Sequence, residues 1–408
     1  MRTPVNNPFR PGSDSLPAVW AGRDQELRDW TTVVRPRRVA GIYERGRTFL
    51  GEAGMGKSTL VRRIARLAAE HGDWVTPQVR IPVEVDSLKL VASALLSLAD
   101  QAGLTQSREK KIKDYLNRVR SVSVKGISLT LERHEGPEPF MSLRDLLIEI
   151  GKEAAKRDKV VIVHIDEMQN INDPSSLSQL LIALGDALVE EIEVRAPGGY
   201  QVSRVLPIAV YLTGLPEFVE MTSAPKGATF ARRFATTTLG PIPADDLKLA
   251  LQPFVTEGWP VPNEKGGLSK VFMTPEAASL LVDLCRGEPF LFQLAGDRAW
   301  NAGSGEVITA DDVKMGWAAA KIEAISHVER ILDRLPARER EFLDAMAQLP
   351  PELRTATNIA KQMGLADATK GAPFAQRLDV SRGIINRGTQ YTFRHRAIES
   401  YLTTGWPN

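Results

Sequence analysis

Gly51-Glu-Ala-Gly-Met-Gly-Lys57-Ser58-Thr59 decides the reading of this chain. It fits the phosphate-binding pattern Gly-x4-Gly-Lys-Ser/Thr and follows the short apolar run Thr48-Phe49-Leu50. Gly51, Gly54 and Gly56 let the chain wrap with Met55, so that successive backbone N–H groups face an anion; Lys57 reaches the β/γ oxygens, and the Ser58 hydroxyl can take a place on Mg²⁺. Past Thr59, Leu60, Ile64 and Leu67 recur at helical spacing. That helix points its positive N-terminus at the same phosphates. The pattern therefore implies a nucleotide.

A second stretch supports it. Lys159-Val-Val-Ile-Val-His-Ile165 is nearly continuous in apolar character and ends in Asp166-Glu167. A run with so little alternation predicts a strand buried on both faces, as in a parallel sheet covered by helices. Asp166 then emerges at the strand's C-terminal end, where open α/β sheets bind ligands, and is expected to share Mg²⁺ with Ser58. Glu167 is expected to orient and activate a water for attack on the γ-phosphate.

The 408 residues allow two or three domains, and 43% hydrophobic with 25% charged residues is ordinary for a globular chain. A net charge of +2 leaves any nucleic-acid contact to local patches. One cysteine, Cys285, excludes an internal disulfide and a cysteine-built zinc site. His71, His134, His164, His327 and His395 are scattered and lack metal-ligand spacing; His164, inside the strand run, is expected to be a hydrogen-bonded core histidine. No apolar stretch reaches membrane-span length and no signal-peptide region opens the chain, so a cytoplasmic protein is expected.

Residues 1–17, rich in Pro, Asn, Gly and Ser, are expected to lie extended on the surface or partly disordered. Residues 18–240 alternate strand-like and helix-like patterns. Val79 to Val83 reads as an edge strand, Leu177, Leu180, Leu181, Leu184 and Leu188 form one helix face, and Arg204 to Thr213 reads as another buried strand. Residues 241–335 predict a small all-helical domain, with Phe290, Phe292 and Trp300 in its core. In residues 336–408 a helix carrying Phe342, Leu343 and Met346 precedes a helix and turn over Thr357 to Gly364. A second helix around Phe374 to Leu378 follows, then strand, turn and strand from Ile384 to Phe393. This order describes a winged helix.

With these motifs the chain resembles AAA+ ATPases of the initiator type, the group related to archaeal origin-recognition proteins. The resemblance implies a P-loop parallel sheet, a helical lid and a C-terminal winged helix, with ATP or ADP and Mg²⁺ as ligands. Asn7 to Pro11 and Trp20-Ala-Gly-Arg23-Asp-Gln-Glu-Leu27 resemble the segment that packs beside adenine there. Asp166-Glu167-Met-Gln169 resembles its Walker B form. Thr213-Gly-Leu-Pro216 resembles sensor 1, which implies that Thr213 bonds the γ-phosphate or the attacking water. Ala231-Arg232-Arg233-Phe234 resembles the segment that gives an arginine to a neighbour's ATP, and so implies a homo-oligomer in the ATP-bound form; the other reading of these arginines is a solvated or ion-paired helix end. Gly287-Glu288-Pro289 departs from the initiator pattern and is closer to the Gly-x-Pro motif of STAND signalling ATPases, which places Pro289 at the nucleotide.

Two basic regions bear on partners. Residues 108–125 hold seven basic residues against two acidic ones, and residues 350–408 hold eight against four. Duplex DNA attracts such patches by counterion release, and a winged helix would turn Gln376 and Arg377 toward the major groove with Arg387 on the wing. The alternative is a switch of the STAND kind, in which bound ADP holds the lid and the winged helix closed and exchange for ATP releases them for a protein partner.

Overall fold

The computed structural model describes residues 2–12, 16–104, 139–195, 198–223, 231–262 and 266–407. The basic segment 108–125 lies outside them. The chain divides into two units, one formed by Asp24–Leu50 and Leu60–Thr237, the other by Met1–Arg23, Gly51–Thr59 and Thr238–Asn408.

The Asp24–Leu50/Leu60–Thr237 unit is built on a sheet of order β2-β4-β7-β1-β8, with β3 also on β4. The strands are β1 (Gly46–Leu50), β2 (Trp74–Val75), β3 (Val79–Arg80), β4 (Val161–Asp166), β7 (Ile208–Gly214) and β8 (Phe234–Thr238). β4 runs parallel to β7 and β7 parallel to β1, and every residue of β1, β4 and β7 is buried. The unbroken apolar runs that predict two-sided burial thus lie in the middle of a parallel sheet. Helices α1 (Lys57–Glu70), α2 (Ser87–Gln101), α3 (Pro139–Ala155) and α4 (Pro174–Val189) connect the strands, and all five leucines expected on one face of α4 are buried.

Two expectations need correction here. β3 stops at Arg80: the N–H of Ile81 still donates to the Asp166 carbonyl at 3.0 Å, but Pro82 has no N–H with which to continue. The run Arg204 to Thr213 is two elements. Its start belongs to an antiparallel hairpin of β5 (Glu191–Arg195) and β6 (Gln201–Val205), and only Ile208 onward enters the sheet. The exposure of β5 alternates along the strand, the period-2 signal of a strand lying outside the core.

The other unit holds α5 (Ala244–Thr256), α6 (Pro275–Leu284), α7 (Pro289–Asn301) and α8 (Ala310–Asp333). It is not all-helical: β9 (Trp259–Pro262), β10 (Leu268–Met273) and β11 (Val307–Ile308) form a three-stranded sheet of order β11-β10-β9. Prolines at 260 and 262 disguise β9, because a strand with two missing N–H groups is tolerated only at an edge. After α8 come α9 (Ala337–Ala347), α10 (Ala356–Gln362), α11 (Ala368–Gln376), the antiparallel pair β12 (Ile385–Asn386) and β13 (Thr392–Phe393), and α12 (Arg396–Thr403). The expected order of elements is present: α11 starts at Ala368, capped by Asp367, and runs on directly into a wider helical turn over Arg377–Ser381, so the expected stretch Phe374 to Leu378 is helical throughout. Phe292, Trp300, Phe342, Leu343 and Ile398 share one core, so the lid and the C-terminal module are packed together.

The N-terminal segment is not an extended surface strand. Phe9 is 2% exposed, with its ring 5.7 Å from Phe254 and 6.0 Å from Phe292. Arg2 is buried and paired with Asp312 at 3.1 Å. Polar composition hid two anchors that bury their side chains.

Candidate nucleotide-binding site

In the sheet unit the site is built at the C-terminal ends of β4 and β7. The register pairs Ile165 with Leu212, so the next residues, Asp166 and Thr213, leave the strands side by side. Thr213 Oγ1 donates to Asp166 Oδ1, Gln78 Nε2 donates to Oδ2 at 2.7 Å, and the Glu167 N–H donates to Oδ1 at 3.0 Å. Arg80, in register with Asp166, lies 3.8 Å from Oδ2. These contacts surround a carboxylate that is only 1% exposed. Glu167 turns the chain out of the strand in the left-handed region, at φ 63°, and its carboxylate accepts from Gln169 Nε2.

His164 is buried, as expected of a core residue, and burial pushes its imidazole down to about 4, against the pull of Asp166. Its Nε2 has no hydrogen-bond partner among the described residues, which corrects the expectation of a hydrogen-bonded ring. A neutral ring suits this strand interior. Arg233 pairs with Asp186 on α4, its guanidinium lying over Gly185, and its carbonyl accepts the Gly46 N–H at 3.0 Å. Arg232 is exposed.

The other unit holds the glycine loop. Lys57 Nζ donates to the carbonyls of Gly51 at 2.9 Å and Glu52 at 3.0 Å, and Ser58 and Thr59 stand half-buried on the first turn of α1. Gly54 has φ +81°, and a Cβ there would stand 2.5 Å from His327 Cε1. Both the backbone and the space demand glycine. The Phe290 N–H donates to the Gly54 carbonyl at 3.2 Å, and Pro289 sits beside Gly56. Glu52, within the loop, is buried and paired with Arg334 just past α8. Arg23 donates to the carbonyls of Met55 at 3.1 Å and Gly240 at 2.6 Å, and Trp20 Nε1 donates to Gly22 at 2.8 Å. The adenine-side segment and the Gly-x-Pro motif therefore both adjoin the glycine loop.

Within the Gly-x-Pro motif, Glu288 forms a buried clasp: His327 Nε2 lies 2.7 Å from one carboxylate oxygen and His395 Nδ1 3.2 Å from the other. Burial works to raise this carboxyl, and the hydrogen bonds from the two histidines outweigh it, pulling it down to about 2. The clasp joins α7, α8 and the C-terminal module. Sequence reading missed Gln78, Glu52, Arg334, His327 and His395, because each acts through a partner distant in the chain; Gln169 entered only as part of the Walker B resemblance, without its partners.

Ser58 in one unit and Asp166 in the other each offer a hard oxygen of the kind Mg²⁺ takes. Among the described residues no group of three or more His, Cys, Asp or Glu could hold a metal ion. Of the arginines expected to reach DNA, Arg377 pairs with Glu339 at 2.5 Å and Arg387 with Asp379 at 3.0 Å; Asp379 also holds Arg394 at 2.9 Å. Gln376 ends α11. Among the described residues no helix is long and apolar enough to cross a membrane.

A parallel sheet entering a glycine loop, with carboxylates and a threonine at the neighbouring strand ends, defines a P-loop AAA+ fold. Residues 19–190 match the family model of the AAA ATPase domain. Over 95% of this chain and 95% of the other, it is similar in structure to the Aeropyrum pernix ORC2 protein in ADPNP-ADP complexes, with a TM-score of 0.55 and 16% identity. It is also similar to the Walker-type ATPase PABY2304 of Pyrococcus abyssi, with a TM-score of 0.50 and 16% identity over 94% of this chain and 96% of that one. The fold is that of origin-recognition-like AAA+ ATPases. No curated protein matches the chain in sequence.

Proposed function

We propose that the chain binds ATP with Mg²⁺ and hydrolyses it, and that nucleotide state governs the engagement of its C-terminal module. The observation that carries this reading is the cluster at the ends of β4 and β7, where Thr213 and Gln78 hold Asp166 and Glu167 stands next to it. Lys57 would exchange its two carbonyl acceptors for phosphate oxygens, Gly51 to Thr59 would cradle the phosphates with backbone N–H groups, and Trp20, Arg23 and Pro289 would border the nucleotide. Ser58 and Asp166 would hold Mg²⁺, which supplies neutralisation of the charge that develops on the phosphates. Glu167 takes a proton from water as the water oxygen bonds to the γ-phosphorus; the bond from that phosphorus to the bridging oxygen breaks, releasing ADP and phosphate. Of the two arginines, Arg232 suits service to a neighbour's ATP in a homo-oligomer, because Arg233 is already tied to Asp186 within its own chain.

The working division is a nucleotide domain of residues 18–240, a lid of 241–335 and a winged helix of 336–408. Two readings of that last module compete. The clasp at Glu288 and the pairing of Arg377, Arg387 and Arg394 with carboxylates favour a switch in which the module is a brace. Exposed Lys361, Lys370 and Gln376, with the basic segment 108–125, favour action on duplex DNA. ATPase rate with and without duplex DNA over a salt series separates them. Strong stimulation that fades steeply with salt selects DNA, and copurification with ADP and indifference to DNA selects the switch. Failure of Glu167→Gln to reduce hydrolysis removes both.

A further inference from the structure

We infer that Gln169 is a positioning residue that ties the Glu167 carboxylate to the loop after β7, so that one loop sets both acidic groups. The inference rests on the reading of Glu167 as the base. Gln169 Nε2 donates to Glu167 Oε2, while Gln169 Oε1 accepts the Leu215 N–H at 2.9 Å. Gly214, immediately before, leaves room for this reach: a Cβ there would stand 3.1 Å from Gln169 Oε1. The turn that carries Gln169, Met168–Asn170, is fixed at its other end, where Asn170 Nδ2 donates to the Ile81 carbonyl at 2.8 Å, and Met168 is fully buried.

Thr213, two residues before Leu215, donates to Asp166. The β7 exit therefore touches Asp166 directly and Glu167 through the amide of Gln169. A displacement of that loop re-aims both carboxylates together. The chemistry at position 169 is specific, since the side chain must donate to a carboxylate and accept from an N–H at once. An amide does both, whereas an ionised carboxylate can only accept.

The test compares Gln169→Glu and Gln169→Ala with the parent in the full chain, by steady-state hydrolysis and by binding of ADP and of a non-hydrolysable ATP analogue. Gln169→Glu keeps the acceptor for Leu215 and sets a second carboxylate against Glu167. Both variants lose about tenfold to a hundredfold in kcat, as expected of a misaimed base, with nucleotide affinity unchanged. Parental or higher kcat in either variant overturns the inference, as does a fall in affinity that accounts for the whole loss. Glu167→Gln is the reference: if it hydrolyses ATP at the parental rate, the base assignment itself fails, whereas its inactivity beside fully active Gln169 variants sinks the Gln169 role alone.

Discussion

At the scale of single residues, the side chains with chemistry to perform are held by neighbours that do none. Lys57→Ala removes the only lysine of the glycine loop and is expected to weaken ATP binding by about a hundredfold or more, read by calorimetry on a variant whose circular dichroism is unchanged. Thr213→Val keeps the shape and deletes the donor to Asp166. The expected result is a kcat lower by about tenfold to a hundredfold, with ADP affinity little altered, in a Mg²⁺ titration of the rate. The place of Asp166 and Glu167 at the end of a buried strand was legible from the apolar run before them. Gln78 was not, since nothing local joins it to a carboxylate 88 positions away.

At the scale of elements, the clasp on Glu288 couples α7, α8 and the C-terminal module through one carboxylate. Its carboxyl sits at about 2 when folded, below its ordinary value of 4.5, so its contribution is complete above the ordinary value and disappears as pH falls through about 2. The contribution is roughly 3 kcal/mol, a shift of that size converted at 1.36 kcal/mol per unit. Glu288→Gln is expected to lower Tm at neutral pH and to flatten the acid side of a Tm-against-pH curve; an unchanged slope between pH 4.5 and 2 contradicts it. Phe9→Ala, removing a ring packed on Phe254 and Phe292, is expected to cost about 3–5 kcal/mol in a urea titration. Continuous apolar strands and five leucines on α4 were readable because burial writes a period into the sequence. The N-terminal anchors and the β9–β11 sheet were not, because Phe9 stands alone among polar residues and the prolines of β9 obscure its pattern.

At the scale of the whole molecule, assembly is the open consequence of Arg232. Arg232→Ala and Glu167→Gln are each expected to be inactive, and mixing them with ATP is expected to restore part of the hydrolysis, because a neighbour then supplies the missing guanidinium; an inert mixture and a mass that ATP does not change by light scattering contradict an arginine acting between subunits. By itself the sequence determined that this chain carries a phosphate-binding glycine-loop pattern and a parallel α/β sheet, since a glycine loop, two carboxylates after a buried run and helical leucine spacing are each dictated by local chemistry. Only the tertiary structure decided which polar side chains are engaged: Arg233 with Asp186, Arg377 with Glu339, Glu288 with two histidines, Gln169 between Glu167 and Leu215. Such pairings follow from where the chain brings distant residues together, and a hydrogen bond leaves no periodic trace along the sequence that forms it.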